Sequence, residues 1–200
     1  MPRMPLAGSE TRVALPADLQ EVIDALAAVE RDAERIVAPL DDEQFNWSPT
    51  RNAWSIAQCL DHLNVSNARY FGAMAAAVAR AEARGLTRRE PIRSSFLGRW
   101  FVAMLEPPVR LKTRAPGTIR PARHRHKAEV WPEFVRQHTH MRANIARWAQ
   151  VDLNRAVFPN PLARYGRLRA GTGLCIIAAH DRRHVWQASR VRATEGFPRS

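Results

Sequence analysis

The chain has 200 residues, of which 46% are hydrophobic, and a formal net charge of +12. That length suits one domain with a real core, and that hydrophobic share excludes a disordered chain. Abundant alanine and arginine, with few Ile, Thr and Tyr, favour helix over strand.

Residues 1–16 contain prolines and polar residues without an apolar run, so they are expected to form an extension rather than a secretory signal. The first helix is predicted from Ala17 to Ala38. Leu19, Val22, Ile23, Leu26, Val29, Ala33, Ile36 and Val37 recur at three- and four-residue steps on one stripe. Pro39 ends it, and a loop from Leu40 to Asn52 carries Trp47-Ser48-Pro49. A second, longer helix is predicted from Ser55 to Ala83. Ser55 serves as N-cap with Gln58 three residues on, and Gly85 is the stop.

The connection that follows is unusual. Phe96 to Leu105 reads as a short apolar helix closed by Pro107-Pro108, expected to cover one end of the molecule. From Arg84 to Lys127 the sequence holds 12 basic and 2 acidic residues, so this segment alone accounts for +10 of the +12. So long a connection is usually functional or mobile.

A third helix is predicted from Lys127 to Ala149, with Val130, Phe134, His138, Met141 and Ile145 on its inner stripe. Pro132 falls in its first turns, where proline is tolerated. A loop over 151–170 leads to a last helix from Gly171 to Ala193, and residues 195–200 form a tail. Four striped helices and no convincing strand predict an all-α, four-helix bundle with a short extra helix and a long loop between its second and third helices.

The chemistry concentrates in histidines. His180 and His184 are four residues apart, which puts both imidazoles on one face of the last helix, one turn apart. Two imidazoles so placed can grip a metal ion, and they can equally be two surface histidines beside arginines. His62, flanked by Leu60, Asp61 and Leu63, is a third candidate or a hydrogen-bonded core residue. His124 and His126 fall in the basic loop, and His138 and His140 point to different faces of a helix, so none of the four is favoured as a ligand. Cys59 and Cys175 read as buried thiols in a reducing, cytoplasmic setting. No apolar run approaches the roughly 20 residues of a membrane span.

Three ordered motifs give these residues a context. Trp47-Ser48-Pro49 is followed by Trp54-Ser55-Ile56-Ala57-Gln58-Cys59-Leu60-Asp61-His62-Leu63; Lys112-Thr113-Arg114-Ala115-Pro116 lies in the middle; and His180-Asp181-Arg182-Arg183-His184-Val185-Trp186-Gln187 closes the series. Over residues 17–194 the chain resembles the DinB-like superfamily of metal-binding four-helix bundles. The resemblance implies an up-down-down-up bundle and one metal held by His62, His180 and His184; all-nitrogen ligation of a divalent ion suits zinc, nickel, iron, manganese or copper, and spacing does not choose among them. It leaves the reaction open, since some relatives are S-transferases that use a low-molecular-weight thiol and many have no assigned activity.

The leading expectation is therefore a metal-dependent enzyme, such as a thiol S-transferase, acting on a small molecule. Arg110, Lys112, Arg114 and Arg164 are candidates to attract the carboxylates of a thiol, and Gln58, Asp61 and Gln187 to orient ligands. The alternative is a metal-binding stress-response module without turnover. Nucleic-acid binding by the basic segment is not favoured, because interleaved aromatics are few and no known motif is present. A homodimer is compatible with the sequence, which does not fix the oligomeric state.

Overall fold

The computed structural model describes residues 14–109, 115–162 and 166–198. Helix α1 spans Ala17–Val37, α2 Asp42–Asn46, α3 Ile56–Ala83, α4 Phe96–Leu105, α5 Lys127–Arg147 and α6 Ala170–Arg192. The local signals act as the sequence suggests. Ser55 Oγ accepts from the Gln58 amide while Gln58 Oε1 accepts from the Ser55 amide, closing the capping box of α3. At the other end Gly85 takes φ 64°, and Leu86 N–H and Gly85 N–H donate to the Ala81 and Glu82 carbonyls. This double closure requires a left-handed residue, which glycine adopts without strain.

Helices α1, α3, α5 and α6 form the bundle: α3 packs on α5 and α6, and α1 packs on the same two. Side-chain contacts give the directions. Asp18 at the start of α1 holds Arg88 just beyond the end of α3, so α1 and α3 run oppositely. Asn64 of early α3 donates to the Val130 carbonyl of early α5, so these two run together. Arg192 at the end of α6 donates to the Arg35 carbonyl at the end of α1, so these also run together. The order is up-down-down-up.

Two elements escape the sequence reading. The 40–52 loop contains α2, whose own capping box pairs Asp41 with Gln44. The 151–170 loop contains a short antiparallel pair, β1 Val157–Pro159 and β2 Arg167–Arg169. Three-residue strands are too short to show an alternating pattern. The pair has a packing purpose: Phe158 is fully buried, and its ring lies 2.9 Å from where a Cβ on Gly173 would stand. The short helix α4 lies along α6 rather than over one end of the bundle, leaving Phe96, Leu97 and Trp100 exposed. No helix among the described residues is long and apolar enough to cross a membrane.

Buried apolar side chains fall into two clusters along the bundle axis. One holds Leu19, Met74, Met141 and Leu174; the other holds Val29, Leu60, Phe134 and Val185. Between them lies a layer of buried polar side chains: His62, Asn67, His138, Asp181 and His184. Polar groups in such a place cost stability unless each finds a partner, so this layer is where a function is to be sought.

Candidate metal centre

The layer is built by α3 and α6 crossing in opposite directions. His62 projects from α3 one turn after the capping box, and His180 and His184 project from successive turns of α6. Their ring centroids lie 4.6–5.1 Å apart. One ligand nitrogen from each falls within 4.8 Å of the others, a grouping able to hold a metal ion.

The hydrogen bonds say which nitrogens are free. His62 Nδ1 lies 2.7 Å from the Ile119 carbonyl, which can only accept, so Nδ1 carries the proton and Nε2 presents its lone pair. That Nε2 is 3.2 Å from Nε2 of His180. Nδ1 of His184 is buried and has no hydrogen-bond partner. A carbonyl that fixes one tautomer and a buried imidazole nitrogen left without a partner are what a metal site requires. The donor set fits a divalent transition metal.

Electrostatics point the same way. Burial lowers the pKa of all three imidazoles: that of His180 falls to about 4, with the neighbouring His62 adding to the effect. His184 drops well below its ordinary value by burial, then by the other two histidines, while Gln187 acts in the opposite sense. His62 is lowered by burial against the opposing Ile119 hydrogen bond. The three are neutral at pH 7, the state in which imidazole donates a lone pair.

Around them stands a supporting shell that the sequence did not reveal. Asp181, fully buried, accepts from Asn67 Nδ2 at 2.9 and 3.1 Å, tying α6 to α3 between the two α6 histidines. Nε2 of His138, also fully buried, is 3.2 Å from Asp181 Oδ2, although poorly aligned for a hydrogen bond, while its Nδ1 lies 3.0 Å from the Phe134 carbonyl. Thus α3, α5 and α6 meet at one carboxylate. Trp54 covers the other side, with its ring 4.9 Å from His62 and stacked 5.6 Å from His184. Sequence could have flagged His138, which sits on an apolar stripe, but not its partner on another helix.

The remaining sequence candidates separate. Gln58 serves the α3 cap and lines the cavity. Asp61 is buried and holds the basic loop by accepting from the Ala122 amide and Arg125 Nη1, both at 3.1 Å. Gln187 lies one turn beyond His184 and lines the cavity. Arg110, Lys112, Arg114 and Arg164 fall outside the described residues. His126 pairs with Asp42 at the surface, and His124 and His140 are exposed. Cys59 is buried and Cys175 half-buried, and burial raises the pKa of both thiols, as expected of inert cysteines. The basic segment is partly structural: Arg88 pairs with Asp18, and Arg125 pairs with Asp61 and Glu129.

The three histidines open into a cavity of about 1550 Å³. Among the described residues that line it are five arginines and no aspartate, glutamate, lysine or cysteine.

None of the curated proteins matches the chain. Among solved structures, YfiT from Bacillus subtilis, described as a probable metal-dependent hydrolase with an unusual four-helix bundle topology, is similar at a TM-score of 0.52 and 16% identity, with 97% of each chain covered. At that identity the likeness shows the shared bundle fold. The DinB superfamily model matches residues 25–188, most of the chain and both histidine-bearing helices, and the chain therefore belongs to the DinB superfamily.

Proposed function

We propose that His62, His180 and His184 ligate one divalent metal ion and that the protein is a metal-dependent enzyme acting on a small molecule, with low-molecular-weight-thiol S-transfer the leading reaction. The observation that carries this reading is the convergence of three neutral imidazoles, those of His62 and His184 buried and that of His180 partly buried, in the wall of a large cavity. Three protein ligands leave positions open for a further group. An ion held there supplies Lewis acidity and lowers the pKa of a thiol or water.

The chain's own residues prepare the site. The Ile119 carbonyl holds the His62 tautomer, the Asn67–Asp181 hydrogen bonds hold the register of α6 against α3, and Trp54 shields the rings from solvent. No carboxylate, lysine or cysteine is among the described lining residues, so neither a general base nor a nucleophile of those kinds comes from the cavity wall. This favours a nucleophile brought in by a second molecule, and the cavity is roomy enough for a thiol and an electrophile together. The same lack of a base favours, as the alternative, a metal-binding module without turnover. Hydrolysis, the reaction named for YfiT, would use the same open site.

The test is metal analysis of purified and reconstituted protein beside His184→Ala, followed by turnover assays. One equivalent of metal in the wild type and its loss in the variant are expected; a wild type that takes up none overturns the reading. Product formation from an electrophile only when a thiol is supplied supports S-transfer. Product from an ester or amide without thiol supports hydrolysis, and metal binding without turnover in either assay supports the module.

A further inference from the structure

The polarity of the cavity changes along α6. Its apolar lining comes from Ile176 and Ile177 on α6, from Leu162, and from Phe101, Met104 and Leu105 on α4, whose end reaches Arg182 and Arg183 of α6. The polar groups at this end have partners within the fold: Tyr70 Oη donates to Asn160 Oδ1, Asn67 donates to Asp181, and the fifth lining arginine, the buried Arg183, donates to the Met104 carbonyl at 3.4 Å. Thirteen residues beyond Ile177 on α6, about 20 Å at the rise of a helix, stands Arg190. Arg51, from the loop before α3, and Arg120 and Arg123, which flank the Ala122 amide held by Asp61 in the first turns of α3, complete the exposed cationic lining. His180 and His184 sit between the two ends.

These four arginines are exposed, and none makes an ion pair among the described residues. Arg190 also suits the negative end of the α6 dipole. The three loop arginines have no such structural role. Elsewhere this basic chain pairs its cations when they face the fold, as Arg88, Arg125, Arg142 and Arg182 do. Four uncompensated cations around one mouth, with no described acid lining the cavity, create a positive potential focused on the opening.

We infer that the cavity takes an amphipathic anion, a small molecule with a phosphate or carboxylate head held by Arg51, Arg120, Arg123 and Arg190 and an apolar body lying against Phe101, Met104, Leu105 and Ile177. The middle of such a ligand passes the three histidines. The inference names the substrate class of the proposed enzyme. It rests on that reading for what happens to the ligand, and not for the binding itself.

The experiment measures binding of octyl phosphate, 1-octanol, octylammonium and inorganic phosphate by fluorescence of the cavity tryptophans and by calorimetry. Metal-free and zinc-reconstituted protein are run side by side. Octyl phosphate is expected to bind at least about 10-fold more tightly than octanol, octylammonium or phosphate, with an affinity that falls as salt is added. The double variant Arg120→Ser/Arg123→Ser should lose most of the preference for octyl phosphate over octanol while octanol binding stays unchanged. Phe101→Ser should weaken both octyl ligands and leave inorganic phosphate alone. Thermal unfolding of each variant checks that it is folded.

Equal binding of octanol or octylammonium overturns the inference, as does a preference that survives the double arginine variant. A preference seen only with zinc that also survives that variant places the head on the histidines and likewise refutes it. Failure of zinc to bind, with the anion preference intact in metal-free protein, overturns the metal reading and leaves this inference standing. Stoichiometric zinc without any anion preference does the reverse.

Discussion

Lowering the pH from 7.5 to 5.0 will destabilise the metal-free protein, and the cause is the imidazole cluster. His180 has a folded pKa of about 4 against an ordinary value of 6.5. Below 6.5 the unfolded chain takes up a proton that the folded chain refuses, so stability falls as pH drops and the loss levels off only near pH 4. At pH 7.5 both states are neutral there and nothing is lost. The full shift is worth roughly 3 kcal/mol at 1.36 kcal/mol per pH unit, and about 2 kcal/mol of it is expressed by pH 5. His180 keeps some solvent contact through the cavity, so these figures are upper limits for that residue. His62 and His184, lowered for the same reason of burial, add in the same direction. The assay is urea unfolding of chelator-treated protein at the two pH values, with His180→Leu alongside. The leucine variant removes one titrating imidazole and should show a visibly smaller loss. Equal stability of the wild type at both pH values, or an unchanged loss in the variant, would refute the reasoning. Bound metal should steepen the dependence, because protons then compete with the ion for the same nitrogens.

Other perturbations test the frame around the site. Asp181→Ala leaves the buried Asn67 amide without its acceptor and removes the carboxylate beside His138, and it should cost about 3 kcal/mol in chemical unfolding; Asp181→Asn, which retains one acceptor oxygen, should cost less. Gly173→Ala would place a Cβ 2.9 Å from the Phe158 ring and 3.2 Å from Met74 Sδ, so a loss of about 1–3 kcal/mol is expected, and an unchanged melting temperature would show that the β1–β2 pair yields freely. Ser55→Ala removes the α3 cap and should cost about 1 kcal/mol. The accompanying drop in metal affinity would be read by competition with a chelating dye, since α3 starts two turns before His62.

Two features of the sequence were local and therefore legible. The stripes of Leu19 to Val37 and of Val130 to Ile145 oblige those segments to be helices with one buried face, because no other regular structure places residues three and four apart side by side. The α3 cap and the Gly85 stop are written in consecutive residues for the same reason. The pairing of His180 with His184 is also local, being a property of one helix. Addition of His62 depended on motif order, since nothing in the spacing of residues 62 and 180 brings them together.

What the tertiary structure decided is everything that joins distant residues. The Ile119 carbonyl selects the His62 tautomer from 57 positions away, and Asp181 draws Asn67 of α3 and His138 of α5 into one buried group. The Asp41–Gln44 box was readable in the loop before α3, but the burial of Phe45 that makes α2 worthwhile was not. The basic segment read as one block of charge; the fold splits it into arginines that tie loops to helices and arginines that ring a cavity. Sequence determines which faces must be buried, because the periodicity of a helix is local. Which polar groups then meet inside the bundle depends on crossing directions and register, and those are properties of the packed helices together.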